Sequence, residues 1–182
     1  SGAELDIASG ATLDVNGTID VTGATLTGSF GKVLQVVQPA AITGFATSTT
    51  SATFVDLTGI TLDITPTLAT SKILVCWNLN IGANTGWHAN LRLVRDSTPI
   101  AIGDASGSRT QATADVGANV SMLNPSSIMF LDEPNTTSAT TYKAQWKSES
   151  GGTIYLNRSH GNTDAVRFCI GASTITAWEI GA

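Results

Sequence analysis

The chain has 182 residues, a formal net charge of −5, 42% hydrophobic residues and only 13% charged residues. This charged share is about half of that in ordinary globular domains, so Thr, Ser, Asn and Gly must cover the surface, as in many extracellular all-β proteins and viral surface proteins. Lys and Arg residues form no cluster, which argues against nucleic acid or an anionic membrane as the main partner. The longest apolar run, residues 73–77, is too short to span a bilayer, so we expect no membrane insertion.

Residues 1–30 contain four short strand-like cells separated by small residues. The cells begin at Leu5, Leu13, Ile19 and Leu26, and the first three place an aspartate between two aliphatic residues. A repeat this short cannot bury its own apolar face, so it needs copies to pack against. Because one chain supplies so few cells, we expect the copies to come from other chains. The segment is therefore predicted to be a short intertwined β-shaft in a homotrimer.

Strand signals dominate from residue 31 onward, and no window shows the period of a helix. The clearest strand is predicted over residues 72–81, where alternate apolar side chains from Ile73 to Ile81 share one face. Roughly eight to ten short strands joined by polar turns indicate an all-β fold. We predict a jelly-roll-like antiparallel β-sandwich head over residues 31–182.

Two connections carry hairpin signals. Residues 95–99 (RDSTP) are predicted to join two strands of one hairpin. Gly151-Gly152 is the strongest two-residue signal, and it predicts that the strand of residues 142–148 turns back into the strand of residues 154–156.

Three other features follow along the head. The polar segment 103–124 predicts a long loop that is either functional or disordered. Alternation over residues 166–170 predicts one more strand. Cys76 and Cys169 both lie in apolar strand-like runs. A disulfide is one reading, but we favour two free thiols that act as small hydrophobes.

Several segments of the head share a pattern with a known family. They are residues 31–38 (GKVLQVVQ), 53–60 (TFVDLTGI), 64–66 (ITP), 71–75 (SKILV), 91–98 (LRLVRDST) and 173–180 (STITAWEI). Together they resemble a domain common in tail-fibre proteins of tailed bacteriophages, and the resemblance covers most of residues 31–182. The motifs describe strands and turns, and none of them is a catalytic or binding constellation.

The resemblance implies a C-terminal head behind glycine-rich shaft repeats, in a trimeric fibre used in host recognition. It therefore implies a virion component, assembled in the host cytoplasm, with other virion tail proteins as partners. It does not identify a receptor.

Enzymatic chemistry has little support in the sequence. The chain has two histidines, His88 and His160, and neither sits in a recognisable nucleophile motif. Asp164 follows His160 by four residues, a spacing that turn chemistry explains. A depolymerase-type tailspike would need paired acids in a large groove, and convincing pairs are lacking. We expect neither an enzymatic activity nor a cofactor.

Metal binding is also weakly indicated. One histidine per chain on a threefold axis would provide three ligands, although an exposed loop histidine is the simpler interpretation. Asp132, Glu133 and Asn135 carry oxygen ligands of the kind that calcium prefers, but an ordinary turn explains them equally well. We expect no metal site.

Candidates for receptor binding carry the residue types that bind sugars, namely a ring for the apolar face and polar groups for the hydroxyls. They are Trp87, His88, Asn90, Arg109, Gln111, Tyr155, His160 and Asn162. Trp87 is the sharpest candidate because it follows a small polar loop, although a place in the core or the trimer interface also explains it. The other tryptophans lie in alternating strands and are interpreted as structural.

The leading functional hypothesis is therefore a fibre tip that trimerises and recognises a host-cell surface receptor, a glycan or a protein. Identical weak sites on each head would give strong avidity. The alternative is a structural module that trimerises and sets the register of the shaft, or decorates a capsid, without receptor contact. Loop substitutions separate the two hypotheses, because only the first predicts that they abolish cell binding while sparing assembly.

Overall fold

All regular secondary structure in the described part of the chain is β-strand. The computed structural model describes residues 32–45, 47–84, 86–117 and 121–181, so the shaft predicted for residues 1–30 lies outside the described residues. The strands are β1 (Val33–Val37), β2 (Ser48–Thr49), β3 (Val55–Ile64), β4 (Lys72–Ala83), β5 (His88–Arg95), β6 (Thr98–Ile100), β7 (Ala114–Gly117), β8 (Asn124–Asp132), β9 (Thr140–Ser148), β10 (Ile154–Leu156) and β11 (Thr174–Ile180). Within these residues no helix is long and apolar enough to cross a membrane.

Antiparallel pairing arranges the strands in two sheets. In the first sheet β1 pairs with β11, β11 with β4, and β8 pairs with the opposite edge of β4. The far end of β4 also pairs with the short strand β10, which in turn pairs with β2. In the second sheet β3 pairs with β9 and β9 with β5, and both β7 and β6 pair with β5.

The pairing order identifies the topology. With the short strands β2, β6 and β10 set aside, the eight remaining strands pair in nested fashion: first with last, second with seventh, third with sixth, and fourth with fifth. The pairs β11–β4 and β9–β5 then join these ribbons into two facing sheets. Nested pairing of this kind is the jelly roll. The predicted jelly-roll-like antiparallel β-sandwich is confirmed.

The core lies between the sheets and follows the alternation of the sequence. On β4 the face from Ile73 to Ile81 is buried, as predicted, and Trp77 on it is only 2% exposed. Trp146 on β9 of the second sheet belongs to the same core cluster and is 1% exposed. Trp178 behaves differently, because it lies in register with Leu74 on the outer face of the first sheet and is half-buried.

The hairpin predicted at Gly151-Gly152 is wrong. The strand before it, β9, belongs to the second sheet, and the strand after it, β10, belongs to the first. Trp146 and Ile154 both point into the core from opposite sides, so the chain must change sheets between them. The two glycines therefore form a crossing between layers.

The strand predicted over residues 166–170 is also wrong. Ile170 forms a single bridge with Arg158, and Val166 is fully exposed. Among the described residues this segment forms no other strand pairing, so the alternation does not produce a strand. The segment 103–124, predicted to be a loop, contains the strand β7 and the start of β8.

The hairpin predicted around residues 95–99 is confirmed, with a shorter turn. Residues Asp96 and Ser97 connect β5 to β6, and Asp96 adopts the left-handed conformation with φ of 54°. The cysteines are free thiols: Cys76 is half-buried on the outer face of the first sheet and Cys169 is exposed.

Candidate functional site

The outer face of the second sheet is polar. On β5 the alternation that turns Ala89 and Leu91 inward turns His88, Asn90 and Arg92 outward. The paired strand β9 adds Gln145, which accepts a hydrogen bond from Arg92 Nε at 2.8 Å. This face therefore offers charged and amide groups to a ligand.

A cavity of about 350 Å³ opens at one end of this face. It is lined by His88, Asn90, Arg109, Thr110, Asp115 and Glu149. His88 and Asn90 were predicted together as receptor-binding candidates and Arg109 apart from them, and the fold brings all three to one cavity. We call this group the polar cavity.

Strand pairing fixes the centre of the polar cavity. Asn90 on β5 lies opposite Asp115 on β7. The Asp115 carboxylate accepts a hydrogen bond from Asn90 Nδ2 at 2.8 Å, and its other oxygen lies 2.8 Å from His88 Nδ1. The hydrogen bond to Asp115, together with the charge of that carboxylate, raises the pKa of His88 above its ordinary value. The three side chains thus form one oriented hydrogen-bonding unit.

The loop before β7 supplies the cation of the cavity. Arg109 Nη1 donates a hydrogen bond to Ser106 Oγ at 2.7 Å, which holds the side chain against its own turn. Gln111 Nε2 donates to the carbonyl oxygen of Gly103 at 2.8 Å, so this predicted candidate closes the base of the loop and does not line the cavity.

Trp87 lies beside the polar cavity, but its ring packs inward. It is half-buried, packs against the core and covers the backbone of Gly152 so closely that a Cβ on that glycine would lie 2.3 Å from the indole. Its place in the fold accounts for a large ring after a small polar loop.

The remaining candidates lie in a second, separate group on the first sheet. The Arg158 guanidinium stacks over the Tyr155 ring with its central carbon 3.7 Å from the ring centre, a cation–π geometry. Asn162 lines an adjoining cavity of about 300 Å³ together with Phe45, Arg158 and Asp164. His160 lies with its ring centre 5.8 Å from that of Tyr155, and its buried Nδ1 has no hydrogen-bond partner among the described residues. We call this group the aromatic cavity.

Two acidic residues that line the polar cavity were not predicted from the sequence. Asp115 and Glu149 lie in polar stretches without a motif, and only the β5–β7 pairing and the end of β9 bring them to His88. In the described residues no group of three His, Cys, Asp or Glu side chains could hold a metal ion.

No family model matches the chain, and no curated protein matches it. Among solved structures, the chain is similar to a structure of infectious bursal disease virus, Gt strain, with a TM-score of 0.44 and 14% identity over 81% of this chain and 38% of that one. It is also similar to the VP2 subviral particle of infectious bursal disease virus, with a TM-score of 0.43 and 12% identity over 82% of this chain and 38% of that one. The chain thus spans well under half of these proteins, and a likeness this distant carries no conclusion about function.

Proposed function

We propose that this chain is the head of a virion surface fibre, and that the polar cavity contacts a host-cell surface receptor. The resemblance of residues 31–182 to phage tail-fibre domains supports the fibre, as do the shaft-like repeats before them. The observation that carries the receptor site is the convergence of His88, Asn90 and Arg109 on one cavity of about 350 Å³. That volume lies at the lower end of the range for small-ligand sites, about 300–1,000 Å³.

The chemistry of the polar cavity favours a hydroxyl-rich ligand, a glycan. Asp115 and Glu149 accept hydrogen bonds from hydroxyl groups, while Asn90 and Arg109 donate them. The lining residues are polar or charged, so a purely apolar ligand finds no matching surface. Each site would bind weakly, and repeated copies on a fibre would multiply the effect.

The test is binding of the intact protein to host cells, or to a glycan array where the host is unknown. We expect Asn90→Ala and Arg109→Ala each to lower binding by at least about tenfold, as for a lost hydrogen bond to a charged or well-oriented partner. Arg167→Ala is the control for the polar cavity, because Arg167 does not line that cavity and instead contacts Phe168, which lines the cavity beside Asn162. Unchanged binding in both variants would exclude the polar cavity as the receptor site.

The same assay separates the second candidate site and the second candidate function. Loss of binding in Tyr155→Ala and Asn162→Ala alone would move the receptor site to the aromatic cavity. Unchanged binding in all four variants would favour the assembly module without receptor contact. That second function has an observation of its own: on the outer face of the first sheet the apolar side chains of Val36 and Leu131 are 55% and 46% exposed.

A further inference from the structure

An apolar row crosses the outer face of the first sheet. Val36, Trp178, Leu74 and Leu131 lie opposite one another in register on four adjacent strands, β1, β11, β4 and β8. Val36 is 55% exposed and Leu131 is 46% exposed, while the two central side chains are half-buried by their neighbours. Four apolar side chains in register form a continuous surface, unlike the singly scattered apolar residues of ordinary protein surfaces.

The row is widened by its neighbours. Met129 on β8 lies opposite Cys76 on β4 and is 73% exposed, more than any other residue of this group. Val33 on β1, opposite Ile180, is 55% exposed. We call Val33, Val36, Leu74, Cys76, Met129, Leu131, Trp178 and Ile180 the apolar face.

The edge of strand β8 is a second reason to expect that another surface covers the apolar face. Within the described residues it pairs only with β4, so its other edge presents free backbone groups beside Met129 and Leu131. Uncovered edges with apolar side chains invite association with other strands, and proteins usually protect them with charges. Lys72 lies at the margin of this row and forms an ion pair with Glu133 at 2.7 Å.

The two outer faces of the sandwich differ in kind. The second sheet presents Asn90, Arg92 and Lys147 to solvent, and Lys143 forms an ion pair with Asp56 at 2.8 Å. Such a face is stable in water. The residues of the apolar face form no comparable charge network. The outer face of the second sheet is therefore well solvated, whereas the apolar face exposes apolar side chains to water.

The segment that precedes the described residues indicates what covers the apolar face. Thirty-one residues precede Lys32, and they join the sandwich through β1, the strand that contributes Val33 and Val36. Their repeats predict self-association with other copies of the chain. A self-associating segment that enters at this strand brings the same apolar face of each copy close to the common axis.

We propose that the apolar face packs against further copies of this chain in the fibre head. This inference rests on the proposed fibre function. Homotypic contact explains why the face lacks charge, why the edge of β8 needs no protection and why the polar cavity lies on the opposite sheet. Symmetric oligomers commonly repeat one surface patch in this way.

The two methionines of the chain provide an internal test. Met122 and Met129 are exposed to similar extents in the single chain, at 57% and 73%. The intact protein is treated with dilute hydrogen peroxide, and each rate of sulfoxide formation is divided by the rate in the urea-unfolded chain. We expect Met129 to be protected at least about fivefold relative to Met122, because a covered thioether reacts slowly. Equal relative rates would overturn the proposal.

A second experiment measures mass. Sedimentation equilibrium on the wild type is expected to give a multiple of the chain mass of 18.7 kDa. The double variant Val36→Lys/Met129→Lys should lower that mass or expose Trp178 to a fluorescence quencher, because charges would be buried at the contact. Val166→Lys makes the same change at a fully exposed site and should do neither.

The outcomes remain distinct from those of receptor binding. A monomeric wild type, or a double variant that matches Val166→Lys in both measurements, would overturn the homotypic contact. If Met129 is protected only after a foreign partner is added, the occupant is another protein and the proposal also fails. The receptor site would be judged separately, since Asn90→Ala and Arg109→Ala leave the apolar face intact.

Discussion

Arg95 and Asp132 form an ion pair that joins the two sheets of the sandwich. Arg95 Nη1 lies 3.0 Å and 2.9 Å from the two carboxylate oxygens of Asp132, which is almost fully buried. Tyr142 donates a third hydrogen bond to the same carboxylate at 2.6 Å, and the buried contact raises the pKa of the phenol. One carboxylate from β8 thereby holds two side chains from β5 and β9.

Replacement of Asp132 by Asn should destabilise the fold. The change removes the charge that pairs with Arg95. Breaking a buried ion pair typically costs about 3–5 kcal/mol, and because Arg95 is partly exposed we expect a loss near the lower figure. Glu133→Gln is the control, since the Glu133 side chain forms an exposed pair with Lys72 and its replacement should leave the urea midpoint unchanged. A loss in the Asp132 variant no greater than in the control would contradict the structural role.

Stability should depend on Glu179 at acid pH. Its side chain is fully buried in β11, and although burial raises the pKa, hydrogen bonds from Gln35 and Thr67 lower it to about 2 from an ordinary value of 4.5. Because the folded-state pKa is the lower one, this contribution is complete above pH 4.5 and is lost as the pH falls towards 2.

Urea unfolding at several pH values tests this expectation. Glu179→Gln should be less stable than the wild type at pH 7, and the difference should shrink as the pH falls through this window. Glu149→Gln is the control at an exposed carboxylate and should change the stability at pH 7 less than Glu179→Gln does. A constant difference in both variants would remove Glu179 from the account of acid sensitivity.

The His88–Asp115 pair should respond in the opposite direction. The folded-state pKa of His88 is raised above 6.5, so the stabilising effect of the pair is complete below pH 6.5 and is lost as the pH rises through the raised pKa. Asp115→Asn should lower the pKa of His88, measured by NMR titration of the two histidine rings. The ring of His160 provides the internal reference. A His88 titration unchanged by the substitution would show that the 2.8 Å contact does not persist in solution.

Gly82 allows a sharp test of the packing beside the aromatic cavity. A Cβ there would lie 2.1 Å from the carbonyl oxygen of Arg158, a backbone atom that cannot turn away. Gly82→Ala should therefore cost about 1–3 kcal/mol or more through overpacking, seen as a lower melting temperature. Gly103→Ala, with no atom within 4 Å of its Cβ, should leave the melting temperature nearly unchanged. Equal effects would mean that residue 158 does not cross over β4.

The local sequence pattern correctly predicted features that depend on a single strand. The face from Ile73 to Ile81 follows from period-two alternation, since a sandwich strand has one buried side. The hairpin prediction failed at Gly151-Gly152, because a turn signal does not say whether the next strand stays in the same sheet. Alternation failed at residues 166–170, because in the described part of the chain this segment pairs through a single bridge between Ile170 and Arg158.

The candidate site divides in the same way. His88 and Asn90 were predicted as one candidate group from their residue types, and the structure places both on β5 with outward side chains. Asp115 could not be predicted, because its place opposite Asn90 depends on pairing between segments 25 residues apart in the chain. Trp178 shows a further limit: its strand was predicted, but the side of the sheet that it faces is set by register with β4.

The nested pairing also constrains the kinetics of folding. Strand β11 lies between β1 and β4, so the first sheet is incomplete until the last strand arrives. On a translating ribosome β1 would wait, with its apolar side chains uncovered, through the synthesis of more than a hundred residues. Chains dominated by such distant contacts fold slowly and expose aggregation-prone edges on the way. We therefore expect slow refolding, and a stop codon placed before Thr174 should yield insoluble protein.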